Sequence, residues 1–325
     1  MSNIKNLSAG VRSGNVRSLA KAITLIESRS PDHSKQAADL LDNLLPDSGN
    51  SIRIGISGVP GVGKSTLIEA LGMNLLQKNH KIAILAVDPS SQLSGGSILG
   101  DKTRMEELAR EQNAFIRPSP SGNTLGGVAR KTRETMLLCE AAGYDIIIVE
   151  TVGVGQSEIA VASMVDFFLL LQLSNAGDEL QGIKKGVMEI ADAILINKAE
   201  GENRPRAELA RQQYENALHL LRPKSDHWQV PALLCSALHN QGINEVWQII
   251  LDYVAVMKQQ NEFKNKRRLQ AMDWMWTMVM DDLKDLFLHD KNVATMIGLV
   301  QNEVSQGTTS PSVAARRLLE AFITH

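Results

Sequence analysis

A glycine-rich segment near residue 60 constrains the fold of this chain more than any other part of its sequence. The segment reads Gly58-Val59-Pro60-Gly61-Val62-Gly63-Lys64-Ser65. It follows Ser51–Ser57, which has the pattern of a buried strand, and precedes leucines at 67, 71 and 75 with helical spacing. Glycines at such a turn let successive backbone N–H groups converge on a phosphate, and the helix start adds its positive dipole end. Strand, loop and helix in this order predict a phosphate-binding loop, with Thr66 in the first helical turn.

Two side chains at the end of this loop have the chemistry that a nucleoside triphosphate requires. The ammonium group of Lys64 is expected to reach the β- and γ-phosphates, and the hydroxyl of Ser65 is expected to bind Mg²⁺. The alternative is a glycine-rich turn that only joins a strand to a helix. The complete spacing between a strand and a helix favours the nucleotide site.

Short apolar runs alternate with helical patterns across residues 50–257. The runs are Ile52–Ile56, Ile82–Val87, Phe115–Arg117, Ile146–Val149, Phe167–Leu173, Ala193–Ile196 and Ala232–Cys235. Near-continuous apolar strands separated by helices are typical of a parallel sheet that is covered on both faces. The sequence therefore predicts an α/β P-loop nucleotide triphosphatase with a mostly parallel sheet flanked by helices, plus helical N- and C-terminal extensions.

The domain organisation follows from the same patterns. Residues 1–48 are predicted to form an N-terminal helical arm with helices over Asn15–Glu27 and His33–Leu45, residues 49–257 the nucleotide-binding domain, and residues 258–325 a helical C-terminal region. In the last region an apolar stripe recurs at helical spacing and is widened by further Trp and Met residues: Leu269, Met272, Trp276, Val279, Leu283, Leu286, Trp274, Met275 and Met278. A wide core face and a face shared with another chain both explain this stripe, and both remain open.

Charge and composition exclude several classes of partner. A formal net charge of -2 and a pI near 6.4 give no basic field that would attract nucleic acid or an anionic membrane. No apolar stretch approaches the length of a membrane span. Cys139 and Cys235 are far apart in the chain and suit a reducing compartment. We therefore expect a cytoplasmic protein.

Acidic residues follow two of the predicted strands. Asp88 ends the strand Ile82–Val87, and Glu150 ends a strand over Tyr144–Val149 with Gly153 three residues further on. A P-loop enzyme needs a strand-end carboxylate that holds Mg²⁺ and a glycine N–H that binds the γ-phosphate. Helix caps or turns are the alternative reading, and it has more weight for Asp88 than for Glu150.

A second motif predicts which base is bound. Asn197-Lys198-Ala199-Glu200 follows a strand and resembles the guanine-reading motif Asn-Lys-x-Asp, whose carboxylate accepts two hydrogen bonds from guanine N1 and N2. Glu200 adds one methylene to that carboxylate. Ser236-Ala237-Leu238, after the next strand, is expected to supply a backbone contact to guanine O6. The alternative is an ordinary strand-to-loop turn, but two pieces in the expected order favour GTP and GDP with Mg²⁺.

Many specific segments in one order give the chain a resemblance to a known family. They are Gly14–Arg17, Ala22–Thr24, Gly58–Thr66, Val87–Ser91, Gly96–Met105, Arg117–Ser119, Gly126-Gly127, Glu150–Glu158 and Gly177–Gly186. The chain resembles the MeaB-type G proteins that escort adenosylcobalamin-dependent methylmalonyl-CoA mutase, a family also labelled as lysine/arginine/ornithine transport kinases. The resemblance implies a homodimeric GTPase, in the broad class of the signal-recognition and nickel-insertion GTPases, with a B12-dependent mutase as its client.

The same resemblance implies roles for further residues. Asp88, Asp101 and Glu150 are implied around Mg²⁺ and the γ-phosphate, so that Lys64, Asp101, Glu150 and Lys184 are the expected catalytic residues. Gly177–Lys185 resembles a mobile third switch through which Lys184 reaches the nucleotide or the client; from the residues alone, an ordinary solvated loop is the favoured reading. Val154 stands where a water-positioning Gln would directly follow Gly153, so intrinsic hydrolysis is expected to be slow.

Two other functions compete with a GTP-gated chaperone. A kinase would transfer the γ-phosphate to a protein or an amino-acid transport component, but no residue beyond the metal-binding acids is a candidate general base for an acceptor. A metal-insertion GTPase is disfavoured because the sequence has no recognisable cluster of histidines and cysteines.

Overall fold

The computed structural model describes residues 2–28, 30–87, 105–118, 125–151, 153, 156–174 and 185–323. The first helices are α1 (Ser2–Arg12), α2 (Val16–Glu27) and α3 (Pro31–Leu44). The sequence predicted the last two but not α1, whose residues Ser2, Asn3, Asn6, Ser8 and Gly10 weaken the local helical signal. Tertiary packing stabilises α1 instead, since Val11 is fully buried.

Strands and helices then alternate as the sequence predicted. The strands are β1 (Ile52–Gly58), β2 (Ile82–Val87), β3 (Ala114–Arg117), β4 (Ile146–Thr151), β5 (Phe167–Leu173), β6 (Ala193–Asn197) and β7 (Ala232–Leu234). The helices that connect or follow them are α4 (Lys64–Gln77), α5 (Leu125–Ala141), α6 (Gln156–Ala162), α7 (Lys185–Ile190), α8 (Arg204–His219) and α9 (Ile243–Gln259).

The strands form one sheet of seven in the order β3-β2-β4-β1-β5-β6-β7, and each of its strand pairs is parallel. The predicted α/β fold is confirmed. Because all strands run in one direction, the carboxyl ends of β1, β4, β6 and β7 meet at one edge, where ligands of open parallel sheets bind. The phosphate loop and both predicted base segments therefore lie at the same edge of the sheet.

Helices cover both faces of this sheet, which explains the continuous apolar strands. On one face, side chains of α1 to α3 and of α5 to α8 form a buried cluster that includes Leu19, Leu40, Val161 and Tyr214. On the other face, α4 and α9 contribute Leu67, Leu71 and Trp247. The N-terminal helices thus share a core with the sheet. No helix among the described residues is long and apolar enough to cross a membrane.

Buried charges link strand starts at the opposite edge of the sheet. Glu140 accepts hydrogen bonds from the guanidinium of Arg53 at 2.8 and 2.9 Å, and from the backbone N–H of Gly49. Asp166, which precedes β5, accepts from the backbone N–H of Arg53 and from two guanidinium nitrogens of Arg267. Burial raises the pKa of Glu140, but the bonds and charge of Arg53 outweigh burial and hold that pKa below its ordinary value.

The chain divides into two compact units, Met1–Arg267 and Arg268–His325. Helix α10 (Glu262–His289) begins in the first unit, and α11 (Lys291–Ser305) and α12 (Pro311–Ile323) complete the second. Within the second unit, the rings of Phe287 and Phe322 meet edge to face, with centroids 5.4 Å apart. The predicted boundary at 257 falls two residues before the end of α9, and the predicted boundary at 48 falls just before β1.

Candidate functional site: a phosphate loop and a base loop at one sheet edge

The phosphate loop connects β1 directly to α4. Gly61 and Gly63 have φ values of 79° and 99°, a region that glycine enters without steric cost. The side chain of Lys64, 8% exposed, extends back over the loop, and its Nζ donates to the carbonyl oxygens of Gly58 at 2.7 Å and Val59 at 3.3 Å. The loop therefore carries an ammonium group inside its own turn, where phosphate oxygens are its natural partners.

Gly153 approaches the phosphate loop so closely that a side chain would not fit. Its φ is 87°, and a Cβ atom built on it would lie 2.2 Å from the carbonyl oxygen of Gly58. Just before it, the hydroxyl of Thr151 donates to that of Ser57 at 2.8 Å across β4 and β1. The segment that is predicted to bind the γ-phosphate thus lies against the first residue of the loop.

Ser65 and Glu150 bring two oxygen donors together beside the loop. Register pairs Glu150 with Ile56 on the neighbouring strand, and the hydroxyl of Ser65 donates to Oε1 of Glu150 at 3.3 Å. Mg²⁺ prefers oxygen ligands and binds through one or two protein groups plus phosphates and waters. The pair fits a magnesium site that a bound triphosphate would complete.

Asn197 links the phosphate loop to the base loops. It is 2% exposed, its Nδ2 donates to the carbonyl of Val62 at 2.9 Å, and its Oδ1 accepts from the N–H of Ala237 at 3.1 Å. A Cβ on Gly63 would lie 2.5 Å from the same Nδ2, so glycine is required at that place. The amide of Asn197 therefore bridges the segments that are predicted to hold phosphate and base.

Lys198 and Glu200 complete the predicted base site. Lys198 has a φ of 60°, and its ammonium group donates to the carbonyl of Gly61 at 2.9 Å, along the phosphate loop. Oε2 of Glu200 is buried without a hydrogen-bond partner. A buried, unpaired carboxylate oxygen is costly, and the N1–H and N2–H donors of guanine would satisfy it, whereas adenine has an acceptor at N1 and no amino group at C2. The residues present therefore fit a guanine base.

The loop after β7 carries the three residues that were expected to supply a backbone contact to guanine O6. The N–H of Ala237 is directed to Asn197, and Ser236 pairs with Gln241 in an isolated bridge. Leu238 is 72% exposed. The amides of Ser236 and Ala237 are thus bonded within the protein, and the contact of this segment to guanine O6 stays a prediction.

Cys235 contacts the candidate base site, and the sequence did not predict this because the contact joins the ends of two different strands. Cys235 lies under the base loops, and its thiol donates to Oδ1 of Asn197 at 3.2 Å. Burial, with the nearby Glu200 carboxylate, raises the pKa of Cys235 to about 12, so the thiol stays protonated as a donor. The only sequence signal for this contact was the position of Cys235 at the carboxyl end of a predicted strand.

Parts of the sequence interpretation lie outside the described residues, among them most of Gly96–Met105 and of Gly177–Gly186 and four residues with a predicted role. The four residues are Asp88, Asp101, Val154 and Lys184. Their predicted roles at the metal, the γ-phosphate and the third switch stay predictions. Pro60 and Thr66 belong to the described phosphate loop and the first turn of α4, as predicted.

Comparison with known proteins identifies the family. The model of the family described as methylmalonyl Co-A mutase-associated GTPase MeaB matches residues 19–292. A putative GTPase of Caulobacter vibrioides is 52% identical, with 98% of each chain covered. The GTPase ArgK of Escherichia coli is 48% identical over 95% of this chain and 94% of its own. A crystal structure of a LAO/AO transport system kinase superposes with a TM-score of 0.80 at 41% identity, covering 100% of this chain and 99% of the other. This chain is therefore a P-loop GTPase and belongs to the MeaB family.

Proposed function

We propose that this protein is a GTP-gated chaperone of a B12-dependent methylmalonyl-CoA mutase and controls the loading or protection of that enzyme's cofactor. The observation that carries the proposal is the match of the mutase-associated GTPase family to residues 19–292, a span that contains the whole phosphate and base site. The buried Oε2 of Glu200 supports guanine as the base. We also propose that the protein acts in the cytoplasm and that neither nucleic acid nor a membrane is its partner.

Each residue of the site has a separate proposed role. Lys64 and Gly153 both lie beside Gly58. In this proposal the ammonium group of Lys64 binds the β- and γ-phosphates, and the backbone N–H of Gly153 binds the γ-phosphate. Ser65 and Glu150 would hold Mg²⁺ together with Asp88 and Asp101, and the ion would offset the charge that develops on the phosphate oxygens. Glu200 and Leu238 bind the base.

Slow intrinsic hydrolysis makes this site suitable for gating. Val154 cannot orient an attacking water, because its side chain carries no hydrogen-bonding group. We propose that the client orders Gly177–Gly186 and brings Lys184 to the γ-phosphate. A cationic group added in this way can raise the rate by about 10³ or more.

Single-turnover GTP hydrolysis with purified B12-dependent mutase tests this function. The mutase is expected to accelerate the wild type and to lose most of that effect with Lys184→Ala. The adjacent Lys185→Ala is the matched control and should respond like the wild type. If the mutase leaves the wild-type rate unchanged, the chaperone function is refuted; if it accelerates all three proteins equally, Lys184 is not the switch.

The exposed face of α10 supports a homodimer. Trp276 is 59% exposed, Met280 64% and Leu286 63%. Trp276 and Leu286 belong to the stripe for which the sequence left a core and an interface open, and their exposure in the single chain favours the interface. In analytical ultracentrifugation, Trp276→Glu should dissociate the dimer while its exposed polar neighbour Thr277→Glu leaves it intact; a monomeric wild type would exclude this interface.

A kinase is the second candidate, because the solved structure that is 41% identical to this chain is named a transport system kinase. It differs from a GTPase by the acceptor of the γ-phosphate. Radiolabelled GTP or ATP with arginine, ornithine or the mutase as acceptor separates the two, because only a kinase moves the label to an acceptor other than water.

A further inference from the structure

Asn203 follows the candidate base motif and bonds its backbone twice. Nδ2 of Asn203 donates to the carbonyl oxygen of Lys198 at 2.6 Å, and the backbone N–H of Asn203 donates to the carbonyl oxygen of Glu200 at 3.1 Å. These two carbonyls belong to residues that are predicted to bind the base. Asn203 therefore holds the backbone of the motif on both sides of Ala199.

A hydroxyl at the end of β5 fixes the orientation of the Asn203 amide. Ser174 directly follows β5, and its hydroxyl donates to Oδ1 of Asn203 at 2.7 Å. Register pairs Leu173 with Asn197 on the neighbouring strand, so the end of β5 lies beside the start of the base motif. Because the carbonyl oxygen of Lys198 can only accept, the Nδ2 end of the amide must face it and the Oδ1 end must face Ser174.

Asn203 is also the residue that precedes α8, where asparagine commonly caps a helix. Its side chain nevertheless bonds none of the described backbone amides in the first turn of α8. The oxygen and the nitrogen of the amide are directed to Ser174 and Lys198 instead. The side chain of Asn203 therefore supports the base motif rather than the helix.

The base motif has a backbone conformation that requires such support. Lys198 has a φ of 60°, in the left-handed region that residues with a side chain rarely adopt. Conformations of this kind persist only where the surrounding contacts hold them. Glu200 also carries its carboxylate on one more methylene than the Asp of the motif Asn-Lys-x-Asp. Its backbone must therefore be held where the longer side chain reaches the base.

We propose that Asn203 is a positioning residue for guanine recognition. Its bonds to Lys198 and Glu200 hold the turn so that the carboxylate of Glu200 accepts from both N1–H and N2–H of guanine, and Ser174 keeps the amide of Asn203 in the required orientation. Asn203 acts through Glu200 and does not itself bind the base. This inference rests on the guanine site proposed above.

The preference for GDP over IDP tests this role, because the two nucleotides differ only in the 2-amino group of the base. Pyrophosphate has no base and reports on the phosphate loop alone. In calorimetry with the full-length protein, the wild type should bind GDP at least about tenfold more tightly than IDP, as expected for a hydrogen bond to a charged group. Asn203→Asp should reduce this preference to about threefold or less, because it turns an acceptor instead of a donor toward the carbonyl of Lys198. Its affinity for pyrophosphate should equal that of the wild type.

Control variants separate positioning of the base motif from a role in stability. Asp caps helices as well as Asn does, so Asn203→Asp should keep a free energy of unfolding close to that of the wild type. Asn216→Asp makes the same chemical change at an exposed position of α8 and should keep the wild-type preference for GDP. Ser174→Ala should lower the preference less than Asn203→Asp does, since it removes only the bond that orients the amide. Asn203→Ala removes both side-chain bonds without adding a charge and should lose the preference as well.

The outcomes distinguish this inference from the guanine site on which it rests. Equal binding of GDP and IDP by the wild type would refute the contact of Glu200 with the 2-amino group, and the role of Asn203 with it. Where the wild type prefers GDP, the inference alone is overturned if Asn203→Asp and Asn203→Ala keep that preference. It is also overturned if these variants lose as much affinity for pyrophosphate as for GDP.

Discussion

Gly153→Ala tests whether the contact between Gly153 and the phosphate loop positions Lys64, the proposed catalytic lysine. A Cβ at this place would lie 2.2 Å from the carbonyl oxygen of Gly58, whereas Cβ contacts under 3.0 Å essentially never occur. The carbonyl must therefore move by at least about 0.8 Å, since packed interiors do not absorb such overlap. That carbonyl accepts the hydrogen bond from Lys64 at 2.7 Å, so the lysine must also shift.

The size of the expected effect follows from this displacement. A misplacement near 1 Å costs about 10²-fold in rate. An alanine with positive φ costs a further ~1–2 kcal/mol of folding free energy. We therefore expect single-turnover GTP hydrolysis by Gly153→Ala to fall about 10²-fold at saturating GTP, with a stability loss larger than backbone strain alone produces.

Gly143→Ala is a matched control for backbone strain. Gly143 has a φ of 86°, almost equal to the 87° of Gly153, but a Cβ there would meet nothing within 4 Å. It should lose only the ~1–2 kcal/mol of strain in urea unfolding, and keep wild-type hydrolysis. Equal stability losses and equal hydrolysis rates in the two variants would refute the close-contact argument.

Three further predictions concern the phosphates, the base and acid stability. Lys64→Ala should abolish GTP binding in calorimetry and lower the unfolding free energy only slightly, because the ammonium group of Lys64 binds phosphate rather than stabilising the core. Micromolar GTP affinity in this variant would contradict the prediction. GTP should bind at least ~10² tighter than ATP, and Glu200→Ala should remove most of that preference; equal dissociation constants in the wild type would exclude the guanine site. Glu140, with its pKa held below the ordinary 4.5, contributes stability that is present above that value and is lost as pH falls through the lowered pKa. Between about pH 5 and pH 3 the unfolding free energy of the wild type should thus fall more than that of Glu140→Gln. Equal falls in the two proteins would show that the ion pair of Glu140 with Arg53 does not contribute to stability.

The sequence predicted the parts of this structure that depend on local spacing. The glycine positions around Lys64, the apolar strands and the Asn197–Glu200 motif each carry their signal within a few residues. The parallel direction of the strands then brings their carboxyl ends to one edge, and so the candidate nucleotide site could be proposed from the sequence.

Features that depend on contacts between distant segments could not be predicted in this way. No local pattern shows that Arg267 bonds the carboxylate of Asp166, about a hundred residues away. The apolar stripe around Trp276 has the same periodicity whether it faces a core or solvent, so only the structure showed its exposure. Helix α1 was missed because its stability comes from packing rather than from helix propensity.

The affinity of the protein for its client in each nucleotide state tests the central claim most directly. A chaperone gated by GTP must bind the mutase differently in its GTP and GDP states, because a partner with equal affinity for both cannot shift the equilibrium. Calorimetry with purified B12-dependent methylmalonyl-CoA mutase should give dissociation constants that differ at least about tenfold between a non-hydrolysable GTP analogue and GDP. Equal dissociation constants, or no binding in either state, would contradict the proposed gating.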